Sequence, residues 1–169
     1  MTSQPVLSLF HRRRSAARLA AIVVALALVA ATAWGQVRRL RGQTVYVPVY
    51  SHIYHGDQDK NPFLLTATLS VRNTDPQRPL TVTVIDYYDS AGKRLRSHQE
   101  KPVTVAPMGS IRVIVAESDK SGGSGANFIV KWEAAQAVTA PIIEAVMIGT
   151  KVQQGISFTS RGQAIEEID

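Results

Sequence analysis

The chain contains no cysteine in 169 residues. Disulfide staples, thiolate metal sites and a lipid-acceptor cysteine are therefore excluded, and a domain of this length must be held together by burial of an apolar core. Acidic residues are absent from the first 43 positions, where Arg12, Arg13, Arg14, Arg18, Arg38, Arg39 and Arg41 stand unopposed. Subtracting those seven charges from the formal +6 of the whole chain leaves the other 126 residues at −1. The pI of 9.9 thus belongs to the head, and no basic face for nucleic acid follows for the remainder. No Gly-Lys-Ser/Thr loop leads into a helix, which excludes a P-loop phosphate cradle. No unit recurs at the period of a solenoid.

An apolar run of about twenty residues, the length that spans a bilayer as a helix, is lacking as well. A shorter one is present. Residues 19–34 are apolar except for Thr32, are flanked by arginines that can snorkel, and end in Trp34, a residue that favours the membrane interface. This reads as a membrane-targeting segment with two outcomes open, a retained anchor or a signal cleaved near Ala31-Thr32-Ala33. The arginines just past the run resist translocation, which favours the anchor. The organisation expected is a basic tail at 1–18, an anchor or signal helix at 19–36, a linker at 37–43 and a folded domain over 44–169. That domain is placed on the periplasmic or extracytoplasmic side of the cytoplasmic membrane, on a single-pass tether.

The folded part alternates with period two. Leu65, Ala67, Leu69 and Val71 interleave with Thr66, Thr68, Ser70 and Arg72, the mark of a strand with one buried face. The two prolines and the polar residues of 73–79 stop it, and Leu80, Val82 and Val84 restart it. Asp89-Ser90-Ala91-Gly92 supplies turn chemistry for a hairpin, and Val103, Val105, Ile111, Val113 and Val115 complete what reads as a meander. Asp86 breaks the pattern, falling on the nominal face of Val82 and Val84. Either a bulge near Ile85 changes the phase or a carboxylate is buried with a partner. Further strands are expected at 44–54, where Pro48 implies an edge or a bulge, and at 128–132, 142–148 and 155–160. The stretch 134–137 has room for one helical turn. Seven to nine short strands separated by turn signals predict an all-β fold, an immunoglobulin-like antiparallel β-sandwich of Greek-key type.

Candidate sites are sparse. His52 and His55, with Asp57 and Asp59 close behind, are possible metal ligands, yet residues three apart on a continuing strand face opposite ways. Gly122-Gly123-Ser124-Gly125 comes near the G-x-S-x-G elbow, but the strand-like alternation from Phe128 to Trp132 follows where that motif needs a helix. The expectation is therefore no enzyme, no catalytic residue and no cofactor. For partner binding, two places stand out. One is the loop at 118–127, with Asp119, Gly122, Gly123, Ser124, Gly125 and Asn127, whose glycines lower side-chain bulk and let backbone approach another surface. The other is the strand face that carries Tyr50, His52 and Tyr54, whose aromatic bodies and polar tips suit a protein or glycan contact.

Four separated stretches also resemble a known family. These are 45–54 (Val-Tyr-Val-Pro-Val-Tyr-Ser-His-Ile-Tyr), 69–74 (Leu-Ser-Val-Arg-Asn-Thr), 122–128 and 144–149, the last followed by Gly155-Ile156-Ser157-Phe158. They are similar to a bacterial family known only as domain of unknown function number three-one-two-four, across Val45 to about Ala164. The resemblance implies an exported protein of the bacterial envelope and brings no catalytic residues. The functional expectation is a membrane-tethered extracytoplasmic binding or accessory subunit that contacts another envelope or membrane protein. The alternative is a soluble periplasmic ligand- or metal-binding protein released by signal cleavage.

Overall fold

The structure is a computed structural model that describes residues 37–151 and 154–169. The basic tail and the anchor or signal segment expected at 19–36 lie outside the described residues. Among the described residues no helix is long and apolar enough to cross a membrane.

Arg38–Asp169 form a unit built from antiparallel strands. In chain order these are β1 (Arg39–Pro48), β2 (His52–His55), β3 (Gln58–Leu64), β4 (Thr66–Arg72), β5 (Leu80–Tyr88) and β6 (Arg94–Ser97). They continue with β7 (Val103–Val105), β8 (Ser110–Val115), β9 (Asn127–Thr139), β10 (Ile142–Lys151), β11 (Gln154–Arg161) and β12 (Gln163–Ile168). One sheet runs β12-β1-β9-β5-β6, with β7 also on β5, and the second runs β11-β10-β4-β8. β2 and β3 form a separate hairpin that turns at Gly56, whose φ of 63° lies in the region that glycine enters without steric cost.

The two sheets share one core. Val45, Val47, Val82, Phe128, Val130 and Trp132 of the first are buried with Ala67, Leu69, Val71, Ala145 and Met147 of the second. Alternation along each strand is the cause. In β4, Leu69 and Val71 are buried on one side while Arg72 at its end is exposed. Trp132, 2 % exposed, also donates from Nε1 to Gln43 Oε1 at 3.3 Å, so its polar edge is satisfied inside the core.

Several expectations are corrected. Residues 39–43, expected as linker, belong to β1: Arg39 pairs with Thr139 and Leu40 with Val138, and Leu40 is 1 % exposed. β1 lies between β12 and β9 rather than at an edge, and Pro48 is tolerated because it is the strand's last residue. Residues 52–64, which run beyond the strand expected at 44–54, form the β2–β3 hairpin. No helical turn forms at 134–137. β9 stays extended and bulges, since Leu40 faces Val138 while Gly42 faces Glu133. The expected meander is divided between the sheets, with β4 and β8 in one and β5, β6 and β7 in the other. β12 was not anticipated. It is reached through Gly162, whose N–H donates to Ile143 O at 2.8 Å as the chain passes from the second sheet to the first. A Cβ there would meet Val45 Cγ1 at 2.6 Å.

Both alternatives for Asp86 are realised. The register of β5 on β9 shifts between Val82 and Val84, which turns Ile85 and Tyr87 into the core. Asp86 is left on the other face, 8 % exposed and paired with Arg94 Nη1 at 3.2 Å.

Candidate functional site

The glycine-containing loop joins β8 to β9 and is tied down by the chain itself. Ser90 donates to Gly122 O from its N–H at 3.0 Å and its hydroxyl at 3.1 Å. Ser51 donates to Gly123 O from its N–H at 3.1 Å and its hydroxyl at 3.0 Å, while Gly125 N–H donates to Ser90 Oγ at 2.9 Å. The close approach that the glycines permit is thus intramolecular. A Cβ on Gly122 would stand 1.9 Å from the Tyr87 hydroxyl oxygen, and Gly123 has a φ of 80°. Ser124 is exposed, whereas Asn127 is 9 % exposed at the start of β9, opposite Pro48 and Tyr88.

Beneath the loop lies a cluster that sequence reasoning did not assemble. Tyr87 is fully buried, with its ring 5.0 Å from that of Phe128 and the Arg96 guanidinium 5.2 Å from its centroid. His98 stands edge-on to both rings, at 6.2 Å from Tyr87 and 5.7 Å from Phe128. Arg96 donates from Nε to His98 Nε2 at 3.1 Å and forms an ion pair with Asp119. Burial would raise the Asp119 carboxyl, but hydrogen bonds from the Ser121 hydroxyl and Arg96 outweigh it and hold the group down at about 2. Burial, reinforced by Asp119 nearby, pushes the Tyr87 phenol up to about 12. Burial and then Arg96 push His98 below its usual value, so its neutral form is favoured. Tyr87 Oη has no hydrogen-bond partner among the described residues.

The second group of sequence candidates is only partly gathered. Tyr50 turns toward β11, its ring 5.6 Å from Phe158, and packs against the core. His52 and Tyr54 meet edge-on at 5.3 Å, with His52 Nδ1 3.2 Å from Ser51 Oγ and Tyr54 48 % exposed. Ser51 therefore links this strand to the loop at Gly123, whereas Asp119 joins the Arg96 side. His55 and Asp57 are exposed in and beside the hairpin turn, and among the described residues no three His, Asp or Glu side chains stand together as a metal site.

A cleft of ≈ 550 Å³ runs along one side of the sandwich. Ile85 and Val103 of the first sheet and Ile111 and Val113 of β8 supply apolar walls. His98, Gln99, Glu100, Lys101 and Arg112 complete the lining. The peptide between β6 and β7 is held in place by His98 N–H, which donates to Ile85 O at 2.8 Å, and by the Gln99 side-chain amide, which donates to Val82 O. The only advance signal was the apolar alternation of 103–115. Its division between two sheets, which opens the cleft, is a property of the tertiary fold.

No curated protein matches the chain significantly. It is similar to the solved structure "Crystal Structure of Thermotoga maritima 1070", at 14 % identity and a TM-score of 0.45, over 76 % of this chain and 97 % of that one. A family model matches residues 42–165, the strands that build both sheets and the cleft between them, and the chain accordingly belongs to the family described as Protein of unknown function (DUF3124).

Proposed function

We propose that this protein is a membrane-tethered, extracytoplasmic β-sandwich of immunoglobulin-like, Greek-key type that serves the bacterial envelope as a non-enzymatic binding or accessory subunit. The observation that carries the reading is the cleft, where apolar side chains from both sheets line the walls and Glu100, Lys101 and Arg112 add charge. That composition suits recognition of another polypeptide. Repeated passages of the chain between facing sheets, at 73–79, at 116–126 and at Gly162, support the immunoglobulin-like part. The arginine-flanked run at 19–34 supports the single-pass tether in the cytoplasmic membrane, with another envelope or membrane protein as partner.

The test uses the full-length chain in bacterial cells, with a photo-crosslinking amino acid at Val103, 40 % exposed in the cleft, or at Ile165, 55 % exposed on β12. The expected result is a discrete adduct with one membrane protein from position 103 and none from 165, in material that stays with membranes after a carbonate wash. Equal labelling at both positions refutes the binding site. Recovery in the soluble fraction with Trp34 as first residue favours the alternative, a released periplasmic ligand binder, which the Ala31-Thr32-Ala33 stretch supports.

A further inference from the structure

We infer that the cleft receives an extended segment of a partner polypeptide, which adds to β8 as a further strand with alternate apolar side chains pointing inward and a carboxylate beside Arg112. This rests on the binding reading above and gives it a mode and a partner chemistry. β8 pairs with β4 on one side and, among the described residues, with no strand on the other. Its free edge offers unpaired backbone donors and acceptors.

The edges of the first sheet are blunted, and the cleft lies along β8 rather than along β11, the other edge of the second sheet. β6 and β7 have four and three residues, and β12 carries Glu166 and Glu167, which accept from Thr44 and Gln43. β8 has six residues, Ser-Ile-Arg-Val-Ile-Val, with a single charge. Its inward side chains Ile111 and Val113 are only half-buried although both face the core, because the cleft lies where a further strand would cover them. Side chains of an added strand would enter that space over Ile85 and Val103.

Charge selects the outward positions. Across the outer face of the second sheet the pairing runs Arg112, Ser70, Glu144, Arg161, and Arg72 stands one row away opposite Ser110. Neither Arg72 nor Arg112 forms an ion pair among the described residues. The position beside Arg112 on an added strand therefore favours an acid over a base.

The probe is a fluorescent synthetic peptide of about nine residues that alternates valine and threonine with one central glutamate, compared with the same peptide carrying lysine there. Binding to the full-length protein in detergent is read by anisotropy, with hydrogen exchange of residues 110–115 in parallel. The expected results are a several-fold preference for the glutamate peptide, slowed exchange of the β8 amides on saturation, and reversal of the preference by about fivefold in R112E. Arg112 is exposed, so this variant leaves the fold intact.

Absence of binding, binding without protection of β8, or an unchanged preference in R112E overturns strand addition. The crosslinking result at Val103 then still stands or falls by itself, which separates this inference from the binding reading. Protection of β8 in the peptide-free protein that is lost on dilution identifies a second copy of this chain as the occupant, and overturns the proposal of a separate partner.

Discussion

Gly122→Ala isolates the cause of the glycines in the β8–β9 loop. If they exist to let a partner approach, alanine leaves stability unchanged. If they exist because the loop lies against Tyr87, alanine cannot fit. The new Cβ would stand 1.9 Å from Tyr87 Oη, 2.6 Å from Cζ and 2.7 Å from Ala126 Cβ, all well inside van der Waals contact. Tyr87 cannot swing away cheaply, since it is 0 % exposed and wedged beside Phe128 and His98. Overfilling a packed site costs about 1–3 kcal/mol, and an obstacle this rigid places the loss near the top of that range. At roughly 3–5 °C per kcal/mol for a domain of this size, the melting temperature should fall by about 10 °C. Thermal unfolding followed by circular dichroism measures it, with Gly155→Ala as control, because nothing lies within 4 Å of a Cβ there. Tyr87→Phe removes the nearest atom and a hydroxyl without a partner, so on its own it should cost less than about 1 kcal/mol. In that background Gly122→Ala should be milder by about 1 kcal/mol, a coupling that only direct contact produces. A Gly122→Ala variant that melts within 2–3 °C of the parent, by the same conversion, refutes the reasoning.

Asn73 donates from Nδ2 to Arg78 O, Val105 O and Ala106 O at 2.8, 3.2 and 3.0 Å while 2 % exposed, so Asn73→Ala should lose about 2–4 kcal/mol in denaturant unfolding. Asp119, held at about 2 against an unfolded value of 3.8, binds its proton less readily when folded. Its contribution is therefore complete above pH 4 and lost as the pH falls toward 2, and Asp119→Asn should flatten the stability profile across that window. His98 is also held below its ordinary value, so the unfolded chain binds its proton first and stability should decline as the pH drops below about 6.5. Substitution by Phe should remove that part of the slope.

Much of the sheet structure was legible because one physical rule governs it. Where a strand has one buried face, as in β4, side-chain polarity alternates and the sequence displays the strand directly. The rule fails where burial comes from elsewhere. Residues 39–43 look like a linker because Arg39 and Arg41 dominate, yet Leu40 between them is a core residue. β12 is mostly exposed along its length, so its apolar signal is weak, and it is held by edge pairing to β1 and by Glu166 and Glu167. The candidate site was less legible still. Glycine composition reads the same whether the neighbour is a partner or the chain's own Tyr87, and only distances separate the two. His98 gave no signal, because its setting between Tyr87 and Phe128 joins three residues far apart in sequence.

β5 shows how one inserted residue misleads a pattern reading, and it offers a sharp test. Strict alternation groups Val82, Val84 and Asp86 on one face and places Ile85 and Tyr87 on the other. The observed pairing gives Val82 to Trp132 and Val84 to Lys131, so Thr83 is the extra residue of a bulge and the phase changes across it. Val82, Ile85 and Tyr87 then all point inward, at 0, 2 and 0 % exposure, while Val84 is only half-buried. The bulge also places Ile85 against the cleft and His98 N–H on its carbonyl, so the candidate site depends on it. Aspartate at each position separates the two phases. With strict alternation V84D would unfold the domain and I85D would be tolerated. With the bulge, I85D buries a charge without a partner and should cost about 4 kcal/mol or more, whereas V84D sits on the outer face beside Lys131 and should cost about 1 kcal/mol or less. Urea midpoints of the two variants decide it, and a V84D variant less stable than I85D would mean that the strand does not carry this bulge.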